Sequence, residues 1–240
     1  MDKLTYDDLV TPVPADPPPI FLQHLGNATL YPHQRAAVHW MRNIESGNVC
    51  GGVLADETGM GKTLTIAALV DASPRTRWTV EPTREEIDTN LIICTRETMS
   101  QWVDTFEKFG TVGNKLSVKV YQGTRHDSLD RIRQADVLLV DYAMACAEFH
   151  YNQDGTRWQL RSGTVQHVNS FLNQVEFHRV VVDEVQYMDN GGRAPQVIRG
   201  IHAAHRWAVS ATPLKNGAYS LAPLLDFVAP SYARAANYNE

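Results

Sequence analysis

The chain has 240 residues, 43% of them hydrophobic and 20% charged, and a formal net charge of −5. This composition is that of a globular protein with one large domain or two small ones, and its negative charge excludes a protein that coats nucleic acid by bulk attraction. The sequence shows no apolar run of membrane-spanning length and no signal peptide, so we expect a soluble, intracellular protein without a membrane partner.

The cysteines and prolines indicate the state of the thiols and the start of the folded domain. The cysteines Cys50, Cys94 and Cys146 form no CxxC pair and are expected to be buried, reduced thiols. Five prolines lie in the segment TPVPADPPP, residues 11–19. Because proline fixes φ and removes a hydrogen-bond donor, residues 1–24 are predicted to form an extended lead-in and residues 25–240 the folded domain.

Apolar segments of two kinds follow in alternation. The stretch PHQRAAVHWMRNIE has apolar side chains at helical spacing and predicts a helix over residues 32–45. Short runs rich in branched residues predict parallel strands buried on both faces. These runs are residues 51–55, 90–94, 136–140 and 179–183, with a fifth candidate at 206–211. Helical stretches between them, at 62–72 and 99–109, indicate a layered α/β domain.

Two polar segments without a clear period interrupt this alternation. They are residues 74–89, PRTRWTVEPTREEIDT, and residues 150–170, HYNQDGTRWQLRSGTVQHVNS. Segments of this kind between core strands are predicted to be surface insertions.

A phosphate-binding pattern occupies GGVLADETGMGKT, residues 51–63. Gly59 and Gly61 lie in a loop directly after a predicted strand, and Lys62 and Thr63 open a predicted helix. Such a loop points backbone N–H groups and a helix N-terminus at a phosphate. We expect Lys62 to reach the outer phosphates and the Thr63 hydroxyl to hold Mg2+. A glycine-rich turn without function is the alternative.

A second motif, which is acidic, supplies the carboxylates that phosphate and Mg2+ chemistry needs. RVVVDEVQ places Asp183 and Glu184 at the end of a predicted strand, at the sheet edge where α/β proteins bind ligands. We expect Asp183 to hold Mg2+ through water and Glu184 to orient or deprotonate the water that attacks the terminal phosphate. Together the two motifs predict nucleotide hydrolysis.

At this point the sequence resembles the Snf2-type ATPases, the double-stranded DNA translocases of helicase superfamily 2, whose nucleotide motif has the form D-E-x-G-x-G-K-T. The resemblance implies a RecA-like three-layer domain with a mostly parallel sheet, of the P-loop NTPase class. Asp56 and Glu57 favour this group over the DEAD-box RNA helicases, which usually carry Ala in place of Asp56. We expect both carboxylates to orient the loop through side-chain to backbone bonds.

Further segments match the family in order. LYPHQRAAVHWM is similar to its opening motif, which implies that Gln34 reads the adenine ring. RWAVSATPLKNG is similar to the motif that links hydrolysis to lobe movement, and it implies a coupling role for Ser210, Ala211 and Thr212, with Thr212 touching Gln186. The implied nucleotide-binding set is Gln34, Thr58, Gly59, Met60, Gly61, Lys62, Thr63 and Leu64.

Two segments imply contact with double-stranded DNA. LIICTRETMSQW is similar to the family segment that touches the DNA backbone, near Thr95 and Arg96, and it implies a packing role for Trp102. DVLLVDYAMA resembles the next motif, with Tyr142 in the expected place for DNA binding. Here Asp141 replaces a small hydroxyl residue, and a carboxylate would repel a DNA phosphate.

The resemblance covers about residues 25–235 and implies a second RecA-like lobe as partner. That lobe would supply arginines that stabilise charge on the transferring phosphate, so weak turnover is expected of this chain alone. Arg193, Arg199 and Arg206 are expected at the surface or at helix ends. Nuclear location and work in chromatin remodelling or DNA repair follow from the resemblance alone. Gln186 and FHRVVVDE favour the Rad5, Rad16 and SHPRH-like branch.

Two other functions stay open. The chain could be a lone or regulatory module that binds ATP and protein partners without turnover, or the lobe of an RNA helicase.

Overall fold

Helices and strands alternate along the described part of the chain in a computed structural model. It describes residues 16–47, 51–73, 85–123, 126–149, 158–159, 165–166, 170–189, 194–215 and 217–229. The α-helices in these ranges are α1 (Pro32–Glu45), α2 (Lys62–Ala72), α3 (Arg96–Phe109), α4 (Leu129–Arg133), α5 (Tyr142–Phe149), α6 (Ala194–Gly200) and α7 (Leu221–Val228). The strands are β1 (Gly51–Leu54), β2 (Glu85–Cys94), β3 (Val118–Val120), β4 (Val137–Asp141), β5 (Trp158–Gln159), β6 (Val165–Gln166), β7 (Val175–Asp183) and β8 (His202–Val209). Short 3₁₀ turns cover Phe171–Asn173, Val185–Asp189 and Gly217–Ser220.

Six strands form one parallel sheet in the order β1-β8-β7-β2-β4-β3. All of its strand pairs are parallel, and β7 lies between β8 and β2. The carboxyl ends of these strands therefore meet at one edge, where the loops that follow β1, β4, β7 and β8 come together. Strands β5 and β6 form a separate antiparallel pair.

Helices cover both faces of the sheet. Alternate residues of β2 point into different cores, with Leu91 and Ile93 on one face and Ile92 and Cys94 on the other. Helices α1, α2 and α3 contribute to the second core, and α4 to α7 contribute to the first. The predicted three-layer α/β fold is confirmed. No helix of the described ranges is long and apolar enough to cross a membrane.

The predicted elements agree with the structure where local signals are strong. The helices over 32–45 and 62–72 have the predicted bounds. The helix predicted over 99–109 begins earlier, at Arg96, because the Thr95 hydroxyl accepts a hydrogen bond from the Thr98 backbone and caps it.

The polar segment 74–89 is not wholly an insertion. Its last part, from Glu85, belongs to β2 and pairs with the start of β7 at Val175. Ile87 and Thr89 are buried there while Glu86 and Asp88 are exposed, so these two acidic residues face outward from a strand. Residues 74–84 lie outside the described ranges, as does most of 150–170, of which β5 and β6 are described.

The described residues of the predicted lead-in, 16–24, contain no helix or strand. Arg35 holds this segment through a hydrogen bond from Nε to the Pro17 carbonyl at 2.9 Å. Asp71 accepts the backbone N–H groups of His24 and Leu25 at 3.0 and 2.9 Å. The end of α2 is thereby tied to the start of the predicted domain, whose exact boundary stays a prediction.

A buried ion pair fastens α1 to the sheet. Arg179 donates from Nε and Nη2 to the two carboxylate oxygens of Glu45, each at 2.6 Å, and from Nη1 to Asn90 at 2.9 Å. Trp207 donates its indole N–H to Glu45 at 2.9 Å. Burial alone would raise the pKa of Glu45, but the charge and hydrogen bonds of Arg179 hold that pKa below its usual range.

Both described cysteines are free thiols, as expected, but only Cys94 has the expected full burial. Cys94 is buried and unpaired, and burial raises the pKa of its thiol to about 12. Cys146 is a half-buried free thiol. Cys50 lies outside the described residues.

Candidate nucleotide-binding site

The loop between β1 and α2 has the backbone form that a phosphate cradle needs. Gly59 and Gly61 have φ values of 86° and 78°, in the left-handed region that glycine adopts without strain. A side chain at Gly61 would also place Cβ 2.5 Å from Gln34 Nε2. Gly61 is the N-cap of α2 and no side chain caps that helix. The first backbone N–H groups of α2 are therefore available to an anion.

The Lys62 side chain is held by Asp56 and Glu57, through their backbone carbonyls rather than their carboxylates. Its Nζ donates to the backbone carbonyls of Asp56 and Glu57 at 2.7 and 2.9 Å. Neither carboxylate has a hydrogen bond within the described residues. The predicted side-chain to backbone bonds are thus wrong, because it is the carbonyls of these residues that hold the loop. An ammonium has three donors, so one remains for a phosphate oxygen.

Gln34 joins α1 to the phosphate loop. Its side chain is buried, accepts the Tyr31 N–H at 2.9 Å and donates to the Gly61 carbonyl at 3.2 Å. His33, the preceding residue, has Nε2 3.0 Å from the Met60 carbonyl. These contacts place the start of α1 beside the loop. The adenine contact of Gln34 stays a prediction.

Asp183 closes β7 and has only 9% of its surface exposed. Its Oδ2 accepts the indole N–H of Trp102 at 2.9 Å, and its Oδ1 accepts the Glu184 backbone N–H at 3.0 Å. Burial raises the pKa of Asp183, and the Trp102 hydrogen bond opposes that rise. The carboxylate is therefore fixed in orientation by two donors from different parts of the chain.

Glu184 has an unusual backbone. Its φ is 53°, in the left-handed region that residues other than glycine, Asn and Asp rarely adopt. One of its carboxylate oxygens accepts Gln186 Nε2 at 2.5 Å. Strained residues of this kind concentrate at functional sites, and here the strain falls on the residue predicted to activate water.

The coupling residues form a chain of hydrogen bonds that ends at Glu184. Ser210 donates from Oγ to Gln186 Oε1 at 2.5 Å and accepts the Thr212 backbone N–H at 2.9 Å. The hydrogen bond to Gln186 is thus made by Ser210, and Thr212 is exposed. The expected contact between Thr212 and Gln186 stays a prediction. Ala211 lies at the cleft.

The residues predicted to bind DNA are divided between the surface and the interior. Thr95 is buried and caps α3, so its hydroxyl is engaged. Tyr142 donates to the Asp183 carbonyl at 2.8 Å, and burial together with the nearby Asp183 charge raises its pKa well above the usual range. Arg96 has 82% of its side chain exposed and lies 3.4 Å from Asp141. Of the three, Arg96 has the most exposed side chain, although it pairs with Asp141. The Thr95 and Tyr142 hydroxyls already take part in hydrogen bonds within the chain, and DNA contact by all three residues stays a prediction.

One cleft of about 630 Å³ brings the chemistry together. Lys62, Asp183 and Glu184 line it, with Thr98, Gln101 and Thr105 from α3. Every predicted nucleotide-binding residue also lines it: Gln34, Thr58, Gly59, Met60, Gly61, Lys62, Thr63 and Leu64.

The donor set in the cleft fits Mg2+. Thr63 and Asp183 supply a hydroxyl and a carboxylate, which are the hard oxygen ligands that Mg2+ prefers. The part of the chain that the structure describes holds no group of three or more His, Cys, Asp or Glu side chains that could form a closed metal cage. Few protein ligands are typical of Mg2+ sites in which phosphate oxygens and water complete the shell.

The two described arginines that follow the acidic motif, Arg199 and Arg206, do not line the cleft. Arg199 is half-buried and pairs with Asp226 at 3.1 Å. Arg206 is buried, donates to the Ile201 carbonyl and lies over the Phe227 ring. The surface position expected of Arg206 is wrong, because it lies on a central strand. Arg193 is outside the described ranges.

A parallel sheet, a glycine-rich loop on a helix N-terminus and an acidic pair at the carboxyl end of β7, in the same sheet, define a P-loop nucleotide-binding domain of the helicase type. The model of the SNF2-related domain family matches residues 33–239. The chain therefore belongs to the SNF2-related domain family.

Two curated relatives support this placement, and a solved structure shares the fold. The chain is 31% identical over 202 residues to the ATP-dependent helicase rhp16 of Schizosaccharomyces pombe, covering 83% of this chain and 22% of that protein. It is 28% identical over 221 residues to the ATP-dependent helicase ULS1 of Saccharomyces cerevisiae, covering 83% of this chain and 13% of that protein. The Sulfolobus solfataricus SWI2/SNF2 ATPase core in complex with dsDNA has a TM-score of 0.65 at 21% identity over 88% of this chain and 38% of that chain, which shows the shared fold. The chain thus spans a minor part of these relatives.

Proposed function

We propose that the chain is the ATP-binding lobe of a DNA-dependent ATPase that moves along double-stranded DNA. ATP is its substrate and Mg2+ its cofactor, and a second RecA-like lobe is its partner. The observation that carries this proposal is the meeting of Lys62, Asp183 and Glu184 in one cleft, at the carboxyl edge of the sheet. Family membership and the names of rhp16 and ULS1, both ATP-dependent helicases, support it.

Each residue of the cleft has a distinct part in hydrolysis. The N-terminus of α2 and the Lys62 ammonium bind the phosphates. Thr63 and Asp183 would hold Mg2+, which neutralises phosphate charge when bound. Glu184 orients the attacking water and accepts its proton. Because Gln186 binds one oxygen of the Glu184 carboxylate, the other oxygen is left for water.

Two partners, a second lobe and DNA, are proposed from the arginines of the described residues. No arginine lines the cleft within the described ranges, so the second lobe would supply the positive charge that stabilises the transferring phosphate. Exposed Arg96 is the DNA contact that the surface favours. A nuclear role in chromatin remodelling or DNA repair, and a place in the Rad5, Rad16 and SHPRH-like branch, belong to the same proposal.

The test is ATP binding and steady-state hydrolysis by this chain without nucleic acid, with duplex DNA and with RNA. We expect Mg2+-dependent ATP binding that Lys62→Ala abolishes. We expect weak hydrolysis, stimulated by duplex DNA, that Glu184→Gln lowers by about 100-fold or more.

The other outcomes separate the alternatives. Absence of ATP binding, or hydrolysis that Glu184→Gln leaves intact, would remove the proposed site. Stronger stimulation by RNA than by DNA would favour an RNA helicase lobe. ATP binding without turnover in any condition would favour a module that recruits protein partners.

A further inference from the structure

Two adjacent residues of α3 reach the two candidate Mg2+ ligands. Trp102 donates its indole N–H to Asp183 Oδ2 at 2.9 Å, and Gln101 donates its side-chain N–H to Thr63 Oγ1 at 3.2 Å. Thr63 lies in the first turn of α2 and Asp183 ends β7, so α3 is the one element that contacts both ligands through side-chain donors within the described residues. The family resemblance implies only packing for Trp102.

The environment of Trp102 suits it to fix a carboxylate. The side chain is 1% exposed and its ring stacks on Phe106, with centroids 6.4 Å apart. Indole is a donor without an acceptor, and it does not titrate. It therefore binds Asp183 only when that group presents an oxygen in one place. Each Asp183 oxygen accepts one hydrogen bond, from Trp102 or from the Glu184 backbone, which leaves further lone pairs for a metal or its water.

Gln101 acts on the other ligand in the same way. A threonine hydroxyl accepts through two lone pairs, so a bond from Gln101 still leaves one for a cation. Gln101 is exposed and lines the cleft, and its hold on Thr63 is accordingly weaker than that of Trp102 on Asp183.

We infer that Trp102 and Gln101 are positioning residues for Mg2+, through which α3 sets the separation and orientation of Asp183 and Thr63. The inference rests on the proposed function, in which these two residues bind the metal. Partners of this kind behind metal ligands are worth about 10- to 100-fold in metal affinity.

The chain contains a matched control for the tryptophan. Trp207 is also fully buried and donates its indole N–H to a carboxylate, Glu45, at 2.9 Å. Neither Trp207 nor Glu45 lines the cleft. Trp207→Phe therefore removes an equivalent bond elsewhere in the core. Ser100→Ala, on the exposed side of α3, is the control for Gln101→Ala.

The experiment titrates Mg2+ against binding of a fluorescent ATP analogue at fixed concentration, with the same binding in EDTA and the thermal midpoint of each variant. We expect Trp102→Phe to raise the half-saturating Mg2+ concentration about 10-fold, and Gln101→Ala to raise it by a smaller factor. Trp207→Phe should lower the thermal midpoint and leave the Mg2+ concentration unchanged. Binding in EDTA should be the same in all four variants.

The outcomes separate this inference from the proposed function. Asp183→Asn tests the metal site itself, and a wild-type Mg2+ dependence in that variant would overturn both. Loss of the dependence in Asp183→Asn, with wild-type behaviour of Trp102→Phe and Gln101→Ala, would overturn the inference alone. If Trp102→Phe is unfolded at the assay temperature, 3-benzothienylalanine at position 102 decides, since it keeps the bicyclic shape and replaces the N–H with sulfur. An unchanged Mg2+ dependence there would overturn the role of Trp102.

Discussion

The hydroxyl of Ser210 donates to the side-chain carbonyl oxygen of Gln186 at 2.5 Å. The amide of the same glutamine donates to Glu184, so the end of β8 is connected to the proposed water-activating carboxylate through one side chain. A displacement of the loop after β8 would move a hydrogen-bond partner of that carboxylate. The family resemblance implies such a link, but through Thr212.

A double-mutant cycle distinguishes the two connections. Ser210→Ala and Gln186→Ala should show a coupling of about 1 kcal/mol in the free energy of unfolding, because each removes the same bond. Thr212→Ala and Gln186→Ala should be additive within about 0.5 kcal/mol, since the Thr212 side chain does not take part. Urea denaturation of the variants measures both. Coupling of Gln186 to Thr212 without coupling to Ser210 would contradict the hydrogen bonds that run from Ser210 through Gln186 to Glu184.

Tyr142 offers a test between DNA binding and support of the acidic motif. Tyr142→Phe removes the hydroxyl that donates to the Asp183 carbonyl, and it should cost about 1 kcal/mol of stability while leaving DNA affinity unchanged. Arg96→Ala should weaken DNA binding. It should also reduce the slope of the logarithm of the binding constant against the logarithm of salt concentration by about one, which corresponds to one counterion fewer released. Fluorescence anisotropy with labelled duplex DNA over a salt series measures both variants. A Tyr142→Phe variant of full stability and reduced DNA affinity would reverse the assignment.

The backbone of Glu184 predicts a reversal of the usual order of glycine and alanine. At most positions glycine is the less stable of the two, but at φ 53° the β-carbon of alanine costs about 1–2 kcal/mol. Glu184→Gly should therefore be more stable than Glu184→Ala by about 1 kcal/mol, and both lose the carboxylate bond to Gln186. Thermal and urea unfolding of the pair measure this difference. The ordinary order, alanine above glycine, would show that this residue is not left-handed in solution.

The sequence predicted the parts of the site whose signals are local. A glycine-rich loop followed by Lys62 and Thr63 indicates its own geometry, because backbone freedom and a helix N-terminus are properties of adjacent residues. The bounds of α1 and α2 were predictable for the same reason. Asp183 and Glu184 could be placed at the sheet edge because they close an apolar strand.

The partners of these residues could not be predicted from local pattern. Trp102 and Asp183 are far apart in sequence, and they meet because β2 lies beside β7, an order that periodicity does not give. Tyr142 follows β4, next to β2, and so lies behind the acidic motif rather than on an outer surface. The polar sequence at the start of β2 resembles that of a loop. Only Ile87 and Thr89 mark the buried side of the strand there, which is too few positions to show the alternation that indicates a strand.

The buried pair of Glu45 and Arg179 gives a prediction about stability and pH. Glu45→Gln leaves the Arg179 guanidinium buried without its anion, which should cost about 3–5 kcal/mol near neutral pH. Replacing both residues, with Glu45→Met and Arg179→Leu, should recover part of this loss because no buried charge remains. Urea denaturation of the three variants and the wild type measures these differences.

The pH dependence follows from the direction of the Glu45 pKa. Folding lowers that pKa, so the stabilisation is complete above the unfolded value, about 4.3, and is lost as pH falls through the lower folded value. The gap in stability between wild type and Glu45→Gln should be constant from neutral pH to about pH 5 and should shrink below about pH 4. Glu85→Gln is the control, because Glu85 pairs with Arg133 at the surface, and it should change stability little at any pH. A Glu45→Gln variant as mild as Glu85→Gln, or a gap that persists undiminished at pH 3, would show that the ion pair does not fasten α1 to the sheet in solution.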